Sequence, residues 1–164
     1  SLFNFHYANP AAVTQNYNLN RALGDDETGN AGREDFTYRR EAWEFMMSGG
    51  SLFNHLDFSF TTTREDGISA ASAPGGGGPA IRRQLGILRW FLEEMPLVRM
   101  VPQTGLVTSG IPSGGSAIAL GSPGEAYGIY LRGGSQADLV LNLPAGTYRG
   151  DWIAPRSGRS VTSI

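Results

Sequence analysis

A break in the hydrophobic pattern at Pro96 most constrains what this chain can fold into. Two helix-length apolar stripes precede it, each set between short apolar runs, and no such stripe comes after it. The first stripe runs from Glu34 to Met47. It places Phe36, Trp43 and Met47 on one face, carries Glu34 and Asp35 in its first turn, and is followed by Gly49 and Gly50. The second opens at Pro79, a favoured first-turn residue, and repeats Ile81, Leu85, Leu88, Leu92 and Met95 along one side until Pro96 stops it. Residues 1–8 (SLFNFHYA) read as a buried strand ended by Pro10, and residues 10–17 have room only for a short helix. LNRALG reads as a second strand entering an acidic turn, DDETG. SLFNHLDFSF at 51–60 reads as a third, followed by a long polar, Gly-rich loop to residue 78.

Strand, helix, strand, helix in that order predicts a parallel βα architecture with helices outside the sheet, so residues 1–96 are read as α/β. Beyond Leu97 short strand candidates recur (LVRMVPQ, SAIAL, EAYGIYL, DLVLNLP, TYRGDWI), separated by turn clusters such as SGIPSGG, GSPG, RGG and PAG. That spacing predicts an antiparallel, all-β sandwich over 97–164. No flexible linker separates the halves, so they are expected to pack directly around residues 95–103. A strand pattern opens at residue 1 and a turn leads toward another at Ile164, so both domains are expected to be incomplete, the chain being a fragment of a longer protein.

Composition narrows the function. With 40% apolar and 10% aromatic residues the chain can build a packed core, and a formal net charge of -2 without a basic stripe argues against nucleic acid. There is no cysteine, hence no disulfide, thiol chemistry or Cys-ligated zinc; two histidines, His6 and His55, argue against a His-rich metal site. No apolar run is long enough to span a bilayer, so no membrane partner is expected. No cofactor is called for.

In parallel βα proteins functional groups gather where strands end, because the loops converge there. The three strand ends carry Asn4, His6 and Tyr7; Asp25, Asp26 and Glu27; and Asn54, His55 and Asp57. The acidic run before Thr28-Gly29 reads first as a solvated turn and only second as acid, base or nucleophile. His6 reads as a core histidine or a functional one, and His55 as structural. Gly75 to Gly78 lacks the Lys and Ser or Thr of a phosphate-binding loop and is read as a flexible loop. Trp152 is assigned to the sandwich core, and the alternation of Tyr127, Ile129 and Leu131 to a buried face.

The ordered series FNFHYA, DETG, YRREAWEFMMSGGSLFNHLDFSF, a Gly-rich loop and QLGILRWFLEEMP resembles the final third of a cellulase-like (β/α)8 barrel of glycoside hydrolase family 5 and its clan. The segment beyond Pro96 is similar to the β-sandwich behind such barrels in apiosidase-like glycoside hydrolases, a domain also described as collagen-binding. The resemblance implies a retaining glycosidase acting on a polysaccharide or oligosaccharide, met in an extracellular or periplasmic setting. It makes FNFHYA, LNRALGDDE and SLFNH barrel strands six, seven and eight, and Glu27 the nucleophile, with Asp26 the second candidate. His6, Tyr7, Asn54 and Asp57 become substrate-binding candidates. Two departures stand out. The tyrosine comes directly after the histidine instead of two residues later, and no tryptophan stands at Phe53 to Asp57 to floor the sugar.

The resemblance also implies an acid/base glutamate on the fourth strand, upstream of residue 1, so the rest of the parent barrel is an expected partner and the isolated fragment is expected to be inactive or poorly soluble. Two other readings stand beside this one. The chain is a carbohydrate-binding or adhesion module if Tyr127, Tyr130, Tyr148 and Trp152 share an exposed face. It is a degenerate glycosidase if the upstream glutamate is missing.

Overall fold

A computed structural model describes residues 1–6, 9–70 and 74–163. Three parallel strands form one sheet in sequence order: β1 (Leu2–His6), β2 (Ala22–Thr28) and β3 (Leu52–His55). The β1–β2 crossover carries the short helix α1 (Pro10–Asn16), whose first turn is closed by the Asn9 side chain accepting from the Ala12 N–H at 3.3 Å. The β2–β3 crossover is α2 (Asp35–Met47), and α3 (Pro79–Glu93) comes after β3.

Seven further strands follow among the described residues: β4 (Val101–Pro102), β5 (Val107–Ser109), β6 (Ser116–Ser122), β7 (Ala126–Arg132), β8 (Val140–Leu141), β9 (Gly150–Ile153) and β10 (Ser160–Ser163). They pair antiparallel as β4-β6-β7, β5-β8 and β9-β10. The described residues thus mix helices with sheets of two or three strands, and no barrel is closed among them.

One core runs across Pro96. Leu23, Trp43, Phe45, Met47, Leu88 and Leu92 from the first half pack with Met100, Leu120 and Tyr130 from the second. The Trp43 ring lies 5.0 Å from Phe91 and stacks on Tyr130 at 5.4 Å, which fastens β7 to α2. Burial of the Trp43 side chain contributes about 2 kcal/mol or more. Arg132 Nε, 3.0 Å from Glu44 Oε1, ties the same two elements at the rim.

Several expectations need correction. The second strand does not stop before the acidic run but continues through it, because Asp25 pairs on both sides, Glu27 pairs with β1 and Thr28 pairs with β3. The third strand ends at His55, five residues short of its expected end, where Asp57 and Ser59 begin a hydrogen-bonded turn. Among the described residues β1 pairs with β2 alone, which leaves it at the sheet edge with Leu2 and Phe3 exposed. Phe36 faces outward and is 51% exposed, whereas Trp43 and Met47 are buried as expected, together with Tyr38, Ala42 and Phe45. LVRMVPQ opens with a 3-10 turn (Leu97–Arg99) before the two-residue β4. On β7 the buried residues are Gly128 and Tyr130, one step out of phase with the expected Tyr127, Ile129 and Leu131. Gly128 is the reason: its missing side chain admits Met95 and Met47, whose atoms stand 3.0 to 3.2 Å from where a Cβ would be. Trp152 is 44% exposed on β9, whose one partner in the described sheets is β10, rather than in a core.

Candidate active site

The C-terminal ends of β1 and β2 meet at a bulge. Phe5 pairs with Asp25 and His6 with Glu27, while on the other side Asp25 pairs with Phe53 and Thr28 with His55. Over this stretch β2 has one residue more than either neighbour. Successive strand side chains ordinarily point to opposite faces; an extra residue breaks that alternation and re-aims a side chain. Here it brings two adjacent carboxylates to one imidazole. His6 Nδ1 lies 2.7 Å from Glu27 Oε2, and His6 Nε2 lies 3.6 Å from Asp26 Oδ1.

Two asparagines frame the bulge. Asn4 donates to the Asp26 carboxylate, and Asn54 donates to the Asp26 main-chain oxygen at 2.9 Å. Gly24 makes the first contact possible, because a Cβ there would stand 2.7 Å from Asn4 Oδ1. The Asp26 and Glu27 side chains keep 36% and 34% of their exposure, whereas Asp25 turns inward with 1%. Sequence reasoning placed Asn4 at the strand end without a role. The asparagine two residues before His6 is the signal that could have supplied one, since i and i+2 share a strand face.

Asp57 does different work. Its Oδ1 accepts from Ser59 N–H at 3.0 Å, Ser59 Oγ at 2.6 Å and Gly78 N–H at 3.0 Å, and Arg82 donates to its Oδ2. Burial alone would push its pKa up. The hydrogen bonds from Ser59, Arg82 and Gly78 outweigh burial and hold the carboxyl below its ordinary value, so it is an anchored anion. Arg82 also donates to the Gly67 carbonyl at 2.8 Å, which ties Gly67, in the segment between β3 and α3, to α3.

That segment includes the glycine run, which is not the flexible loop expected from its composition. Gly75 and Gly76 are buried, and a side chain on them would overlap the Phe58 and Tyr38 rings. Gly76 N–H donates to Gly29 O at 3.0 Å, Gly32 N–H donates to Pro74 O at 2.7 Å, and Phe58 N–H donates to Gly76 O at 3.0 Å. The strap therefore locks the loop that leaves Glu27. The Tyr38 hydroxyl accepts from Ala31 N–H at 2.9 Å and lies 2.8 Å from Gly29 O; burial raises its pKa and keeps it a donor. His55 packs edge-on against Tyr38, with ring centroids 4.5 Å apart. Burial depresses its pKa, against the opposing pull of Asp57 and Asp35, so the ring is held toward its neutral form.

Of the residues expected at the site, His6, Asp26, Glu27 and Asn54 come together, Asp57 is committed to the β3–α3 segment, and Tyr7 lies outside the described residues. Among the described residues no three His, Asp or Glu side chains are grouped so as to hold a metal ion.

The chain matches no protein-family model, and no curated protein matches it in sequence. In structure it is similar to a glycoside hydrolase family 5 protein from Bacteroides vulgatus ATCC 8482, with a TM-score of 0.64 over 87% of this chain at 13% identity. The fold is glycoside-hydrolase-like. The aligned part covers 35% of that protein's chain, so this chain spans about a third of its length.

Proposed function

We propose that this chain is part of a retaining glycoside hydrolase, contributing its nucleophile, Glu27, at the end of the seventh strand of a (β/α)8 barrel. The reading is carried by one observation: a bulge at a parallel-strand end presents Glu27 and Asp26 to the same imidazole, within a fold similar to part of a family 5 glycoside hydrolase. The assignment of residues 97–164 to an apiosidase-like sandwich rests on the sequence resemblance.

The chemistry arises from a charged carboxylate held at a fixed angle. With its Nδ1 protonated, His6 donates to Glu27 Oε2, orients the carboxylate and stabilises its negative charge. A Glu27 oxygen attacks the anomeric carbon as the glycosidic C–O bond breaks, and a second carboxylic acid protonates the departing oxygen. That acid then takes a proton from water, which attacks the same carbon and returns Glu27 to its free carboxylate. The second group must stand about 5 to 5.5 Å from the first in a retaining site, and we assign it to a residue outside these 164. Asp26 acts as a positioning residue: Asn4 and Asn54 tie its side chain and main chain, and it brackets His6 opposite Glu27.

The alternative of a binding module is weakened by Tyr130, which lies in the core, and retains Tyr148 and Trp152, which are exposed. Trapping separates the readings. A polypeptide carrying this segment behind the preceding barrel strands is treated with a panel of activated 2-fluoro glycosides and mapped by peptide mass spectrometry. Glu27 is expected to carry the label. Label on Asp26 moves the nucleophile, and a folded protein with no label on either residue overturns the reading.

A further inference from the structure

All thirteen basic residues of this chain are arginines. Seven stand in ion pairs among the described residues, leaving six without a carboxylate partner there. Four of those six, Arg33, Arg39, Arg83 and Arg156, line a single cleft of about 680 Å³. The cleft lies between the first turns of α2 and α3 and the β9–β10 turn. In a parallel βα unit the helices begin where the strands end, so those first turns lie toward the end of the sheet that carries His6, Asp26 and Glu27.

Two carboxylates also line the cleft, so the local balance is four positive charges against two, in a chain whose net charge is -2. Asp35 is engaged by the buried Gln84, whose Nε2 donates to it at 2.8 Å while Arg39 donates to the amide oxygen of Gln84. The remaining acid, Glu34, sits at the N-cap of α2. The helix N-termini add positive potential to the same space. Guanidinium groups present a planar fork that fits a carboxylate or sulfate group, and like charges gathered without partners cost energy unless an anion relieves them. Phe36 stands at this cleft with half its surface exposed and the Arg39 guanidinium 5.4 Å from its ring centre. A ring in that position offers an apolar face to the C–H side of a pyranose.

We propose that this cleft binds the acidic sugars of a polysaccharide, their uronate or sulfate groups seated on the arginines and a ring face on Phe36. The sugar part rests on the glycosidase reading, whereas the anion part rests on the arginines alone. The test is calorimetric titration of the longer polypeptide carrying Glu27→Gln with a uronic acid oligosaccharide, a sulfated oligosaccharide, a neutral glucan oligosaccharide and inorganic sulfate. One or both acidic oligosaccharides bind, which identifies the anion, and the neutral one does not. Arg83→Gln or Arg156→Gln, both exposed positions, weakens binding about tenfold, and added salt weakens it further. Phe36→Ala reduces affinity for the oligosaccharides and leaves inorganic sulfate unchanged. Neutral and acidic sugars binding alike, or acidic binding that survives both arginine changes, overturns the proposal. Sulfate binding as tightly as the oligosaccharides overturns its sugar part. Acidic binding in a protein whose Glu27 takes no label leaves the cleft standing while the glycosidase reading fails.

Discussion

At the end of β2, Asp26 and Glu27 share one half-exposed imidazole; just beyond β3, Asp57 takes hydrogen bonds from Ser59, Gly78 and Arg82. Both places carry carboxylates near a parallel-strand end, where chemistry is expected. The difference is in how the carboxylates are held. Asp57 is mostly buried and fully engaged with groups of its own chain, so its charge is spent on joining β3 to α3. Asp26 and Glu27 keep about a third of their exposure and face a titratable ring, which suits a group that must meet a substrate. The same position in the fold thus holds carboxylates that differ in exposure and in the kind of group they face.

The largest effect that would sharpen this contrast is on catalysis. In the longer polypeptide, Glu27→Gln is expected to cut glycosidase turnover by about a thousandfold or more while the thermal midpoint stays nearly unchanged. Asp57→Asn should do the reverse in kind. It leaves Arg82 without its charge partner and lowers stability by about 2 kcal/mol, discounted for the partial exposure of Arg82, as read from urea denaturation. Because the Asp57 pKa is lowered on folding, its contribution is present above the ordinary carboxylate value of about 4 and is lost as pH falls through the folded value. The asparagine variant should lack that part of the acid-side decline.

Gly76→Ala comes next, at about 1–3 kcal/mol, because the added methyl meets the Tyr38 ring in a packed site; normal stability would mean the strap is not seated there. The smallest effect is a pH slope. His55 is half-buried with a depressed pKa, so its unfolded form binds protons first as pH drops. Stability is therefore held above the ordinary histidine value of about 6.5 and declines as pH falls from there toward the folded value. His55→Gln should flatten that part of the stability curve, and a slope unchanged by the substitution would show that another group sets it.

Much of the frame was legible in the residues. Pro79 and the Ile81–Leu88–Leu92 spacing mark α3 closely, and the loss of helical pattern after Pro96 matches the change to antiparallel strands. The shared core across that point was anticipated only as direct packing, since nothing local in Trp43 or Tyr130 says that their rings stack. The acidic run was ambiguous because turn chemistry and a bulged strand end favour the same polar residues; only pairing on both sides decides between them. The glycine run misled for a related reason. Composition reports freedom of the backbone, whereas close approach to Phe58 and Tyr38 is a property of distant residues. The part Asp57 plays in joining β3 to α3 was not legible, because its partner, Arg82, lies 25 residues away on α3.

The central claim is that Glu27, held by His6, attacks the sugar. Chemical rescue tests it most directly. In the longer polypeptide, Glu27→Ala is assayed on an activated aryl glycoside with and without sodium azide. The account expects negligible turnover alone and restored turnover with azide, yielding a glycosyl azide of inverted anomeric configuration, since the small anion attacks from the face Glu27 vacated. Turnover retained without azide in a folded protein, or a rescued product of retained configuration, would contradict it.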